Sequence, residues 1–248
     1  MGALHEGHLT LIREAAKLAP TVGVSIFVNP TQFGPNEDFA RYPRQEAEDI
    51  AMAEAAGAKI AFCPEVDEMY GDASTVIHVG DVSEGFEGAI RPHHFDGVAT
   101  IVGKLFNVFQ PDYAVFGWKD LQQCAVIRKM IADLKLNINL HLVETVRGEG
   151  GLALSSRNKY LSEEGRRQAQ LIYRTLQDAA NKLREGNIDT ARILEDSRNV
   201  LTAQGFQVDY FELINFQTMK VVTNISDHTR LTTAARLEGV RLLDNIPT

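Results

Sequence analysis

Between Val22 and Val143 the chain alternates short β-rich runs with longer runs of helical spacing, and no other feature narrows the fold as much. Adjacent parallel strands need a crossover of a dozen or more residues, usually a helix, so this rhythm specifies a parallel sheet covered by helices. The strand candidates are Val22–Val28, Lys59–Phe62, Thr75–Val79, Tyr113–Phe116 and Ile138–Val143. Pro43–Ala56 reads as a helix with proline in its first turn and Gly57 as its stop, and Val98–Phe109 and Leu121–Leu134 carry helical apolar spacing. The stripes Val98, Ile101, Val102, Leu105 and Ala125, Ile127, Ile131 are assigned to the core.

The rhythm changes after Val146. A turn through Gly148, Gly150 and Gly151 leads into Ser155-Ser156-Arg157-Asn158, followed by long helical segments near Glu163–Arg184 and Thr190–Gln204. Short strands such as Val208–Ile214, Lys220–Val222 and Thr229–Thr233 follow. We expect a boundary near Thr145, with residues 1–145 forming an α/β domain and residues 146–248 a smaller α+β domain.

Charge and cysteine usage exclude several classes. A net charge of −8 argues against nucleic acid or an anionic membrane as the main partner, so any anion must be bound locally. Cys63 and Cys124 form no paired metal or redox motif, which fits buried structural thiols in a reducing compartment. No apolar run reaches the ~20 residues that cross a bilayer and no secretory pattern opens the chain, so a cytoplasmic protein is expected.

Four stretches can carry chemistry. In His5-Glu6-Gly7-His8 two imidazoles three residues apart share one face at the start of a helical run, where open backbone N–H groups and the helix dipole favour phosphate. A zinc protease spaces its histidines at i and i+4, so that motif does not match; two surface histidines that are inert or bind a stray metal remain the plain alternative. Asn29-Pro30-Thr31-Gln32-Phe33-Gly34 offers amides that orient a hydroxyl or carboxylate, or else a proline turn with Asn29 as a local cap. Gly117-Trp118-Lys119-Asp120 with Gln122 and Gln123 joins a strand to a helix with groups suited to phosphate, metal and polar substrate, or with a solvated Lys–Asp pair. Leu154-Ser155-Ser156-Arg157-Asn158 places hydroxyls and a guanidinium where they can close over a polyphosphate. A hydrolytic serine is disfavoured, because no Gly-X-Ser-X-Gly turn surrounds these residues. His94, behind Arg91-Pro92-His93, either joins a site or caps a helix.

In their order along the chain, Met1-Gly2-Ala3-Leu4-His5-Glu6-Gly7-His8, Phe27-Val28-Asn29-Pro30 with Gln32-Phe33-Gly34, Gly117-X-Lys119-Asp120-X-Gln122-Gln123, Leu154-Ser155-Ser156-Arg157-Asn158 and the closing Arg241-Leu242-Leu243-Asp244-Asn245 resemble the pantoate:beta-alanine ligase family, the pantothenate synthetases. The resemblance implies a nucleotidyl-transferase-like Rossmann fold, a doubly wound parallel sheet with a smaller C-terminal α+β domain acting as a lid. It further implies a cytoplasmic homodimer acting on small molecules in coenzyme A biosynthesis. The implied ligase chemistry forms a pantoyl adenylate from pantoate and ATP with Mg²⁺, then passes the acyl group to β-alanine. By matching position, His5 and His8 contact the phosphates, His8 as proton donor, and Lys119, Ser155, Ser156 and Arg157 hold the ATP phosphates. Residues Met1, Gly2, Ala3, Leu4, Glu6, Gly7, Gly117, Trp118, Val146 and Leu154 line the nucleotide. Gln32 and Gln123 grip pantoate with Asn29 in support, and Asp120 lies near nucleotide or metal.

Two departures stand out: Trp118 occupies a position where the family usually has glutamate, and His93 replaces a small or flexible residue before His94. Because Met1 already lies in the phosphate-binding turn, a further β-strand is expected before it in the natural protein. A related nucleotidylyltransferase keeps the same fold and moves the substrate, and a nucleotide-binding module without turnover is the reading from another class.

Overall fold

The computed structural model describes residues 1–35, 37–186 and 189–248, which form two compact units. The first comprises Met1–Gly117 with Gln122–Val143, and the second comprises Trp118–Leu121 with Glu144–Thr248.

Along the first stretch of chain run α1 (Glu6–Leu18), β1 (Gly23–Ser25), α2 (Glu46–Ala55), β2 (Ile60–Phe62), α3 (Val66–Met69), α4 (Phe86–Ile90), α5 (His94–Phe109), β3 (Tyr113–Gly117), α6 (Leu121–Asp133) and β4 (Asn139–Val143). The strands pair in parallel as β1 with β2, Gly23 opposite Ile60, and as β3 with β4, Tyr113 opposite Asn139. Helices separate the members of each pair, as the alternation of periods requires. Leu4, Ile12, Val22, Val24, Ile26, Ala53, Ala56 and Ala58 form one apolar core of this unit. In α5, Val98, Ile101 and Val102 are buried, as are Ala125 and Ile127 in α6, while Leu105 and Ile131 lie partly buried at the edges of their stripes.

Three expectations are corrected. Thr75–Val79 joins no strand pair among the described residues: most of it is exposed, and the Ile77 amide donates to Thr100 Oγ1 instead of to a neighbouring strand. The second helix begins at Glu46, so Pro43 precedes it. Cys63 is only partly buried, whereas Cys124 is fully buried and its thiol lies 3.2 Å from the Gly117 carbonyl.

The second unit contains α7 (Glu163–Glu185), α8 (Thr190–Ala203), β5 (Gln207–Asn215), β6 (Lys220–Val221), β7 (Thr229–Leu237) and β8 (Val240–Pro247). Ser162 caps α7 by accepting from the Gly165 amide, and Gly186 ends it in the left-handed conformation. The four strands form an antiparallel sheet in the order β6-β5-β7-β8. Glu238 and Gly239, both at positive φ, form the two-residue turn between β7 and β8, a geometry that matches the twist of an antiparallel hairpin. Leu176, Ala179, Ile193, Leu201, Phe211, Leu213 and Leu231 pack the two helices against this sheet. Burying that many large apolar side chains, at roughly 1.5–3 kcal/mol each, is the main source of this unit's cohesion.

Candidate active site

His5 sits at the N-cap of α1, and its Nδ1 accepts from the Gly7 amide at 3.1 Å. His8 reaches back, its Nδ1 accepting from the His5 amide at 3.3 Å, so the two imidazoles complete a reciprocal cap with ring centroids 4.1 Å apart. A backbone N–H can only donate, so both Nδ1 atoms present lone pairs and each neutral ring carries its proton on Nε2. Two N–H donors are thereby fixed at the positive end of a helix dipole.

The turn before this cap is held by a residue that sequence reading passed over. Asp49 of α2 is 1 % exposed, and its two carboxylate oxygens accept from the Ala3 and Leu4 amides at 2.8 and 2.7 Å. These bonds hold Ala3 at φ 49°, a conformation costly for any residue with a Cβ. In the sequence Asp49 is one of several acids on a helix, and nothing local distinguishes it from a solvated charge.

The loop after β1 lies beside this turn, since the Phe27 amide donates to the Met1 carbonyl at 2.7 Å. Asn29 is buried and fully engaged: Nδ2 donates to the Gly97 carbonyl at 3.1 Å and to Gln32 Oε1 at 3.3 Å, while Oδ1 accepts from the Thr31 and Tyr70 hydroxyls. Its amide therefore orients Gln32. Gly97 permits this packing, because a Cβ there would lie 2.4 Å from the Thr31 carbonyl oxygen.

The same loop is braced by Arg91 and His94. Arg91 makes two 2.6 Å bonds to the Glu37 carboxylate and donates to the Gln32 carbonyl at 3.3 Å. His94 Nδ1 lies 2.7 Å from that carbonyl and its Nε2 lies 3.1 Å from Arg91 Nη1. A carbonyl only accepts and a guanidinium only donates, so His94 is neutral with its proton on Nδ1. Burial, followed by the adjacent Arg91 charge, lowers its pKa from the ordinary 6.5. Burial also pushes the Glu37 carboxyl up, but the Arg91 fork outweighs it and holds the group below its usual range.

At the start of α6 the two neighbouring glutamines differ. Gln122 is buried and occupied: Oε1 accepts from the Glu87 amide, and Nε2 donates to the Val82 and Gly85 carbonyls. Gln123, one position on and so turned by about 100°, is only partly buried.

In the second unit, Trp118, Lys119 and Asp120 form a single 3₁₀ turn after Gly117, with Lys119 Nζ 3.1 Å from Asp120 Oδ1. The Val146 carbonyl accepts from the Leu154 amide and the Gly148 amide donates to Leu152, so residues 146–154 form a small hairpin with Arg147 opposite Ala153. It delivers the chain to Ser155, whose Oγ accepts from the Arg157 amide, and to the buried Ser156. Arg147 at the hairpin's base forms a two-pronged ion pair with Asp244 at 2.6 and 2.8 Å. Burial pushes the Asp244 carboxyl up, against the opposing pull of Arg147 and of the Asn245 amide.

The candidate residues thus fall into two sets. His5, His8, Asn29, Gln32 and Gln123 belong to the first unit, and Trp118, Lys119, Asp120, Val146, Leu154, Ser155, Ser156 and Arg157 to the second. Among the described residues no three His, Cys, Asp or Glu side chains converge on a metal-binding position. Likewise, no described helix is long and apolar enough to cross a membrane.

Comparison with known proteins shows what this arrangement is similar to. The sequence model of the pantoate-beta-alanine ligase family matches residues 1–247. A pantothenate synthetase of Granulibacter bethesdensis is 50% identical over 250 residues, covering 99% of this chain and 86% of that protein. One from Acinetobacter baumannii is 48% identical, covering 99% and 87%. Among solved structures, a pantothenate synthetase of Thermus thermophilus superposes with a TM-score of 0.94 at 42% identity, covering 99% of this chain and 90% of that one. The Francisella tularensis ligase, crystallised with beta-gamma ATP and beta-alanine, superposes with a TM-score of 0.83 at 33% identity, covering 100% and 87%.

Proposed function

The chain belongs to the pantoate-beta-alanine ligase family, and from that premise we propose how its own residues carry out the ATP-dependent joining of pantoate to β-alanine. A carboxylate resists attack by an amine until one of its oxygens becomes part of a good leaving group. The pantoate carboxylate therefore attacks the α-phosphorus of ATP, a carboxyl–phosphorus bond forms as the bond to pyrophosphate breaks, and pantoyl adenylate results. The amine of β-alanine, once deprotonated, then attacks the acyl carbon, and AMP leaves with the electron pair of the broken C–O bond.

The observation that carries this assignment is the reciprocal histidine cap of α1, where two Nε2–H donors are held beside a helix N-terminus. Such donors strengthen as negative charge builds on the phosphorus oxygens, so they act mainly in the transition state. Lys119, Ser155, Ser156 and Arg157 take the remaining phosphate charge, Arg157 with the planar fork that suits departing pyrophosphate. Gln32 and Gln123 read the carboxylate and hydroxyls of pantoate; the engagement of Gln122 in the Val82–Glu87 turn supports giving that task to its neighbour.

Asp120 is the single carboxylate between Gly117 and Gln123, a donor set that fits Mg²⁺ held chiefly by ATP phosphates and water. When bound, the ion neutralises phosphate charge, and Asp120 is the residue that would share in holding it. The protein works as a homodimer in the cytoplasm. The two free cysteines support the compartment.

Incubation with ATP and pantoate, with and without β-alanine, tests the assignment. AMP should accumulate in the complete mixture alone, and pantoate should drive exchange of labelled pyrophosphate into ATP without β-alanine. A nucleotide sensor gives neither signal, and a nucleotidylyltransferase gives exchange that ignores pantoate.

A further inference from the structure

Two consecutive residues of β8 hold both loops to which phosphate contacts are assigned. Asn245 is 1 % exposed; its Nδ2 donates to the Trp118 carbonyl at 2.7 Å and to the Lys119 carbonyl at 3.3 Å. Its Oδ1 accepts from Arg230 Nε at 2.7 Å, which fixes the amide's orientation because a guanidinium only donates. Arg230, buried on β7, uses its other nitrogens for a two-pronged bond to Glu144 at 3.0 and 2.8 Å, and its guanidinium lies 4.5 Å from the Trp118 ring centroid. Trp118 in turn meets Phe216 edge to face at 5.0 Å. Asp244, next along the strand, faces the other way and binds Arg147, whose Nη1 also donates to the Gly151 carbonyl at 3.0 Å. That fixes the base of the hairpin leading to Ser155, Ser156 and Arg157.

We propose that Asn245 is a positioning residue for Lys119 and Asp244 a positioning residue for the Ser155–Arg157 loop, so that one strand sets the spacing of the two phosphate-holding loops. The pleat explains the division of labour: adjacent side chains leave opposite faces of β8, pinned in register by Thr232 opposite Asn245 and Thr233 opposite Asp244. Trp118 completes the tether, since its ring contacts both Arg230 and Phe216. The tether acts on backbone carbonyls, so it dictates where the Lys119 side chain starts from without touching substrate.

The proposal rests on the phosphate role assigned above to Lys119 and Arg157, and a set of double-mutant cycles separates the two. Asn245→Asp keeps the size and the acceptor for Arg230 while removing the donor to both carbonyls. Pantoate-dependent ATP–pyrophosphate exchange is measured for Asn245→Asp, Lys119→Ala and Arg157→Ala, alone and combined, with a thermal melt of each. Asn245→Asp should slow exchange roughly tenfold in the parent and hardly at all in Lys119→Ala, while retaining its full effect in Arg157→Ala. Asn245→Ser, which removes the donor pair without adding charge, gives the same pattern if the aspartate variant melts too low to assay. A purely structural role would lower the rate equally in every background, and that result overturns the proposal. If Lys119→Ala leaves exchange unchanged, the phosphate role of Lys119 is wrong and the proposal falls with it. If Lys119→Ala is impaired and Asn245 variants are not, the phosphate role stands and the tether alone is refuted.

Discussion

Asp49 allows the sharpest test of how the histidine turn is held. Its carboxylate is the acceptor for two buried amides, Ala3 and Leu4, and both bonds are short. Asp49→Ala strands both donors away from water at about 1–3 kcal/mol each, so roughly 2–6 kcal/mol is lost. Against a typical domain stability of about 5–15 kcal/mol that is a large share, and at about 2–4 °C per kcal/mol it corresponds to a melting shift on the order of 10 °C. Asp49→Asn keeps one acceptor and should lose about half as much. With its anchor gone, Ala3 is free to leave φ 49°, and the donors of His5 and His8 lose their fixed direction. Thermal melts of the three proteins, read beside pyrophosphate exchange at a temperature where all remain folded, give both quantities. A melting point for Asp49→Ala within about 1 °C of the parent, with exchange intact, would show that the carboxylate carries neither the turn nor the site.

Three further outcomes are expected. His8→Ala should slow adenylation by roughly two to three orders of magnitude in single-turnover assays with a modest change in ATP affinity; the reverse pattern would make it a ground-state ligand. Gln123→Ala should raise the pantoate KM roughly ten- to a hundredfold and leave the ATP KM little changed, and equal effects on both would remove the assignment. His94 is neutral in the fold with its pKa lowered from 6.5, so the unfolded chain takes up its proton first as pH falls. Its contribution is complete above about 6.5 and lost as pH drops toward the lowered value; the slope of stability against pH in that window should flatten in His94→Gln, and an unchanged slope refutes the neutral assignment.

The legible parts of this molecule are those whose cause is local. Helices such as Glu163–Glu185 and Thr190–Ala203 lie within a residue of where period, cap and stop residues put them. The tight cap of α1 is likewise written in four consecutive residues. Thr75–Val79 has strand composition but no strand neighbour among the described residues, and partner geometry is not encoded in a five-residue run. β8 is harder still: Arg241, Asp244 and Asn245 interrupt its apolar alternation, and the groups that satisfy Asp244 and Asn245 lie 97 and 127 residues away in sequence. Asp49 is hidden in the same way, its two donors being more than forty positions upstream. Motif matching could pick out Lys119 and Arg157; what fixes their backbones required the fold.

The position of β8 also governs when the Lys119 turn and the hairpin before Ser155 gain their anchors during synthesis. Trp118 and Lys119 leave the ribosome well before Asn245, and at about 5–20 residues per second the interval is on the order of ten seconds. Throughout it, the first α/β stretch can collapse on its own contacts while both loops wait for their anchor. On the assignment proposed above, the nascent chain gains its parallel strand pairs and its histidine cap early, and the anchors of the Lys119 turn and of the hairpin before Ser155 only as β8 pairs with β7.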